Sequence, residues 1–191
     1  MLGKQAKVLL DDHLDDLLVF AWNSREAIRN EVLVLLSVKA GLRASEIAGL
    51  EWDMALTPSG EIGDTLEVRD SIAKNKSGRR IPLHPDLRMA LLRWYSKHAT
   101  PGPIIASSRG VRMHSVSIVN WFAKAYRAIG LAGCSSHSGR RTFITRAARM
   151  VHKAGGSLRD VQLLAGHRSI QTTQRYIDGD SDAQRRLIRL I

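Results

Sequence analysis

Apolar positions recur at helical spacing over most of this chain. From Asp11 to about Trp22, Leu14, Leu17, Leu18, Phe20 and Ala21 form one stripe, which predicts an amphipathic helix. The nearby Asp11, Asp12, Asp15 and Asp16 beside His13 are then read as acidic residues complementing a positive helix start, not as a metal site. A second helix is expected from about Arg25 to Ala40, closed by Gly41. Ser45 reads as the N-cap of a short helix reaching Leu50. Between Thr65 and Leu83 the pattern changes: Leu66, Val68 and Ile72 precede the polar run Lys74-Asn75-Lys76-Ser77-Gly78, and Arg79-Arg80-Ile81-Pro82-Leu83 follows, which predicts a β-hairpin. Helical patterns resume at about 85–98 and, after the Pro101-Gly102-Pro103 loop, at about 114–129, 138–153, 157–165, 169–178 and 182–190. The expected fold is mainly α with a small antiparallel β-sheet (α+β).

The length, 191 residues, favours one domain with a core large enough to need no staples. The single cysteine, Cys134, excludes an internal disulfide framework. No run of 18 apolar residues is present, and Met1-Leu2-Gly3-Lys4 does not open a signal peptide, so a cytoplasmic protein is expected. Charge narrows the function further. Lys and Arg total 29 against 18 Asp and Glu, a net +11, and 21 of the cations are arginine, whose planar fork suits phosphate. A polyanionic partner, nucleic acid above all, is the natural reading.

Several chemistries lack their residues. There is no Gly-rich phosphate loop, no His-Glu-x-x-His and no Gly-x-Ser-x-Gly elbow. Cys134-x-x-His137 has ligand spacing but no second pair, so no metal is expected. What remains is a set of basic residues and one tyrosine. Arg43 lies in Gly41-Leu42-Arg43-Ala44-Ser45-Glu46, and Lys74 sits in the hairpin turn eight residues before Pro82. His137 and Arg140 make His-x-x-Arg, while His167 follows Leu164-Ala165-Gly166 and Tyr176 comes nine residues later. Singly, each has an ordinary explanation: a helix-end cation, a solvated turn lysine, a helix-end histidine, a packing tyrosine. Together they can serve phosphoryl transfer, in which arginines clamp the phosphate oxygens, a tyrosine attacks phosphorus, a lysine protonates the leaving oxygen and histidines orient the phosphate.

The order Gly-Leu-Arg-x-Ser-Glu, hairpin lysine before Ile-Pro-Leu, His-x-x-Arg-x-Thr-Phe, Leu-x-Gly-His and Arg-Tyr-Ile, spanning about residues 8 to 180, resembles the catalytic domain of tyrosine recombinases, the family of phage integrases and Xer-type resolvases. The resemblance implies that Arg43, Lys74, His137, Arg140 and His167 surround a scissile phosphate and that Tyr176 is the nucleophile. Arg141 and Ala165 depart from residues common in that family, neither at a catalytic position. It further implies a site-specific recombinase working through a 3′-phosphotyrosyl ester, with no cofactor because the ester keeps the bond energy. A type IB topoisomerase-like activity and a non-catalytic DNA-binding remnant are the alternatives. Residues 1–180 are expected to form the catalytic core and 181–191 a tail helix. The N-terminal clamp domain usual in the family is expected to be absent. Double-stranded DNA is the implied partner, with localisation at the nucleoid and dimers or tetramers assembled on DNA through the tail.

Overall fold

A computed structural model describes residues 6–97, 101–176, 188–189 and 191. Its elements are α1 (Asp11–Trp22), α2 (Ala27–Val38), α3 (Ala44–Gly49), a 3-10 turn at Trp52–Met54, β1 (Thr65–Val68), β2 (Arg79–Pro82), α4 (Pro85–Tyr95), α5 (Ser115–Ala128), α6 (Ser138–Met150), α7 (Leu158–Ala165) and α8 (Ile170–Gln174). The mainly helical reading with one two-stranded antiparallel sheet holds. The expected tail helix at 182–190 lies almost wholly outside the described residues.

Helix α2 is the axis of the core. Every residue from Arg29 to Val38 is buried: Val32–Leu36 and Val38 supply its apolar surface, and the buried polar Arg29, Asn30 and Glu31 are hydrogen-bonded or ion-paired. Helices α1, α4 and α6 pack against it. The buried side chains Leu17, Leu33, Leu36, Leu42, Phe122 and Tyr126 belong to one continuous cluster, and Ile144, Ala148, Val151, Val161 and Ala165 make a second between α6 and α7. Gly139 permits a close helix contact: a Cβ there would lie 2.2 Å from Ser37 Oγ on α2. That approach brings the first turn of α6, and with it Arg140, onto the centre of the fold. The chain start is fastened to the same helix. The Leu9 N–H donates to Thr142 Oγ1 at 2.8 Å, and Arg146 pairs with Asp11 at 2.8 Å.

The short helix α3 begins two residues earlier than its sequence implies. Arg43, not Ser45, is the N-cap, and its backbone N–H donates to the Glu46 carboxylate at 2.9 Å. A carboxylate at the third helical position takes the backbone N–H of the N-cap residue, and Ser45 is left in the first turn. The hairpin pairs Thr65 with Pro82, Leu66 with Ile81, Glu67 with Arg80 and Val68 with Arg79. Its connection is longer than a tight turn. Asn75 and Lys76 both take positive φ (61° and 51°), and the Gly78 N–H closes the loop on Asp70 Oδ1 at 2.7 Å.

Candidate active site

One cavity of about 520 Å³ is lined by Ala6, Arg43, Gly133, Ser135, His137, Arg140, Arg141, His167, Thr172, Arg175 and Tyr176. Five of the six residues singled out in the sequence therefore meet, although more than 130 positions separate the first from the last. Lys74 is the exception. It is exposed in the hairpin connection and is not among the lining residues.

The floor is an arginine cluster built round one carboxylate. Glu46 has no exposed side-chain surface and receives three guanidinium groups. Arg79 meets it with two parallel hydrogen bonds of 3.1 Å, Arg43 donates at 2.8 Å, and Arg140 lies 4.0 Å away. Burial by itself would raise the Glu46 carboxyl's pKa. The hydrogen bonds and charges of Arg79 and Arg43 outweigh that and hold it below its ordinary value, so it is ionised. Three cations against one anion leave an unbalanced positive charge beneath the cavity, a preorganised field for an anionic ligand.

Arg140 is held from both sides. Its Nη1 donates to the carbonyl of Gly41 and its Nη2 to the carbonyl of Ala165, both at 2.6 Å. Gly41 can offer that carbonyl because the chain reverses there with φ of +64°, tight against Phe143. Burial first, then the neighbouring Arg43 charge, push the Arg140 pKa down to about 10, which still leaves it charged at neutral pH. Gly166 caps α7 in the left-handed conformation and turns the chain so that His167 enters the site. His167 Nε2 is 3.1 Å from Arg140 Nη2, and its Nδ1 is 3.0 Å from Thr173 Oγ1. Burial, and after it the charges of Arg140, Arg43 and Arg79, lower the His167 pKa to about 4, so the ring is neutral at pH 7.

Tyr176 follows α8 and is half-buried against the α6–α7 cluster. Its ring stacks on His167 with centroids 5.5 Å apart, and the Arg141 guanidinium lies 5.6 Å over its face. His137 is the N-cap of α6, exposed at the cavity. The arrangement can seat a phosphate over the arginines with a phenol and an imidazole beside it.

Arg79 and Thr173 were not singled out in the sequence. Strand alternation carries the signal for Arg79, because it shares a face with buried Ile81 while Arg80 points outward. It also donates to the Leu164 carbonyl at 2.8 Å and so ties the hairpin to α7. Nothing local marks Thr173, which is buried as the fourth residue of a five-residue helix.

Known proteins similar to this chain include tyrosine recombinase XerC of Nitrobacter winogradskyi, 32% identical over 160 residues, covering 81% of this chain and 47% of the relative. XerC of Corynebacterium glutamicum is 27% identical over 158 residues, covering 81% of this chain and 48% of the relative. The chain thus spans about half the length of the curated relatives it matches. Among solved structures, that of XerA recombinase superposes with a TM-score of 0.76 at 20% identity, covering all of this chain and 65% of the other. A lambda integrase dimer bound to a COC′ core site gives 0.70 at 23% identity, covering 93% and 49%. These likenesses establish the tyrosine recombinase catalytic-domain fold. With residues 7–182 matching the model of the phage integrase family, the chain belongs to that family.

Proposed function

We propose that this chain is the catalytic part of a site-specific DNA recombinase or integrase that breaks and rejoins strands through a 3′-phosphotyrosyl intermediate. The observation that carries this reading is the meeting of Arg43, His137, Arg140, His167 and Tyr176 round one cavity above a buried arginine cluster. Tyr176 Oη attacks phosphorus, its proton passing to His137. The bond from phosphorus to the 5′ oxygen breaks, that oxygen leaves with the electron pair and is protonated, and the 3′ phosphate remains esterified to the tyrosine. In the reverse step a 5′-hydroxyl of the exchanged strand attacks phosphorus and releases Tyr176. Arg43 and Arg140 stabilise the charge that develops on the non-bridging oxygens. Lys74, on the exposed hairpin connection, is assigned the proton for the leaving 5′ oxygen, which it would reach when DNA lies over the cavity.

Double-stranded DNA is the partner that a net charge of +11 and this arginine-lined cavity fit. The segment 181–191 is assigned to self-association on DNA. Supporting this, Ile188 and Ile191 are 71% and 94% exposed, and Ala147, Met150, Val151, Ala154, Val161 and Leu164 line an apolar groove able to take an apolar helix face from another copy. Asp160 in the same groove complements Arg185, Arg186 and Arg189 of that segment. Acting on DNA, the protein would be found at the nucleoid.

The deciding experiment is covalent capture. A nicked suicide duplex incubated with the chain gives a protein–DNA adduct on a denaturing gel, and Tyr176→Phe abolishes it with the fold intact. An adduct that persists in the Phe variant rejects Tyr176 as the nucleophile.

A further inference from the structure

We propose that Arg168 is a positioning residue that latches the hairpin connection against the rim of the cavity and so fixes where Lys74 stands. Arg168 follows directly on the cavity residue His167, and its Nη2 donates to the carbonyl of Asn75, the residue after Lys74. The carbonyl of Lys74 itself accepts from Ser77 Oγ at 2.8 Å. The carbonyls of the lysine and of its neighbour are therefore both engaged, one from inside the loop and one from the turn between α7 and α8. Arg79 makes a second attachment. From the base of β2 it donates to the Leu164 carbonyl at 2.8 Å, and it packs so close to Gly166 that a Cβ there would lie 2.8 Å from Arg79 Nη1. The end of α7 and the turn after it thus grip the hairpin at its base and near its tip.

The connection needs such a hold from outside. Asn75 and Lys76 both adopt left-handed backbone, with φ of 61° and 51°. Asparagine tolerates that conformation, whereas lysine keeps it only where the surroundings enforce it. Other restraints lie toward the ends of the loop: Ile72 packs on Gly49, where a Cβ would lie 2.6 Å from Ile72 Cγ2, and the Gly78 N–H bonds to Asp70. The middle, Lys74 to Lys76, is exposed, and Arg168 reaches it there. The consequence rests on the proposed function, in which Lys74 protonates the leaving 5′ oxygen. A lysine is a point charge on a flexible four-carbon stem, and proton transfer demands geometry before acidity. Holding the backbone beside that stem settles part of the geometry before DNA arrives. Arg168 touches no reacting atom in this scheme and acts through Lys74.

The full chain is tested with and without DNA. Without it, ¹⁵N relaxation gives the order parameters of the Asn75 and Lys76 amides, expected near the rigid value of about 0.85 and falling toward about 0.6 in Arg168→Ala. Arg168 is exposed, so its replacement leaves the rest of the fold intact. On a suicide duplex at saturating protein, Arg168→Ala slows adduct formation about tenfold, the scale of one hydrogen bond from a charged donor, and Arg168→Lys recovers part of the rate. With a 5′-bridging phosphorothioate, whose sulfur leaves without a proton, Arg168→Ala and the wild type react alike. Added to Lys74→Ala, the same change slows ordinary DNA no further, because no lysine remains to be positioned. Equal slowing on both substrates overturns the proposal and makes Arg168 a direct contact to the phosphate. Order parameters unchanged in Arg168→Ala overturn it too. A wild-type chain that forms adduct on neither substrate refutes the proposed function, and the DNA-free measurement still decides whether Arg168 holds the loop.

Discussion

Arg79 and Glu46 meet through two parallel hydrogen bonds of 3.1 Å, with 5% and none of their side-chain surfaces exposed. The pair joins the first residue of β2 to α3, and the same carboxylate bonds to Arg43. A single buried anion thereby sets the positions of the hairpin and the first cavity arginine.

Removing that anion is expected to be costly. Glu46→Ala leaves three guanidinium groups without their counter-charge, and losing one partner of a buried ion pair destabilises by about 3–5 kcal/mol. Urea denaturation measures this. Glu46→Gln, which keeps part of the hydrogen bonding, should fall between the alanine variant and the wild type. A loss under about 1 kcal/mol for alanine would mean that the cluster is no more than a surface pair.

Acid should unfold the protein in two overlapping stages. The unfolded His167 ring takes its proton near 6.5 while the folded ring stays neutral down to about 4, so the unfolded state binds more protons in that window. Its contribution is full above pH 6.5 and is lost as pH falls toward 4. Glu46, held below its ordinary value of 4.5, contributes stability above that value and loses it as pH drops through its folded pKa. Thermal melts across pH should show Tm falling from about 6.5 downward, and His167→Gln should flatten the upper part of the slope. An unchanged slope in that variant would show that other groups carry the titration.

Lys74 is expected to reveal its task through the leaving group. Lys74→Ala should slow cleavage of ordinary DNA by about 10²–10⁴-fold, the usual worth of general acid catalysis. A 5′-bridging phosphorothioate, whose sulfur leaves without a proton, should restore most of that loss. Absence of rescue transfers the role to another cation, with Lys76 the next in the same loop.

Shortening the chain to end at Asp180 keeps all six candidate residues. This variant should still form the tyrosyl adduct on a suicide duplex and lose cooperative assembly and complete strand exchange. Recombination equal to that of the full chain would remove the tail from any part in self-association.

The elements were legible because helix and strand leave periodic apolar marks. Leu14, Leu17 and Ala21 announce α1, and alternation about Leu66 and Ile81 announces the hairpin. Five of the site residues were legible from motif order and side-chain chemistry, and they do share one cavity. What the chain alone could not show was which neighbours complete them. With Glu46 accepting from the Arg43 N–H, α3 starts at Ala44 and Ser45 loses the cap role expected of it, because several polar residues near a helix start can cap it and only the folded geometry decides which does. The exposure of Lys74 outside the cavity likewise follows from the path of its loop. The pairing of Arg79 with Glu46 across 33 positions, and of His167 with both Arg140 and Thr173, leaves no local mark. Periodicity records which face of an element is buried, and only packing decides which donor then meets which acceptor.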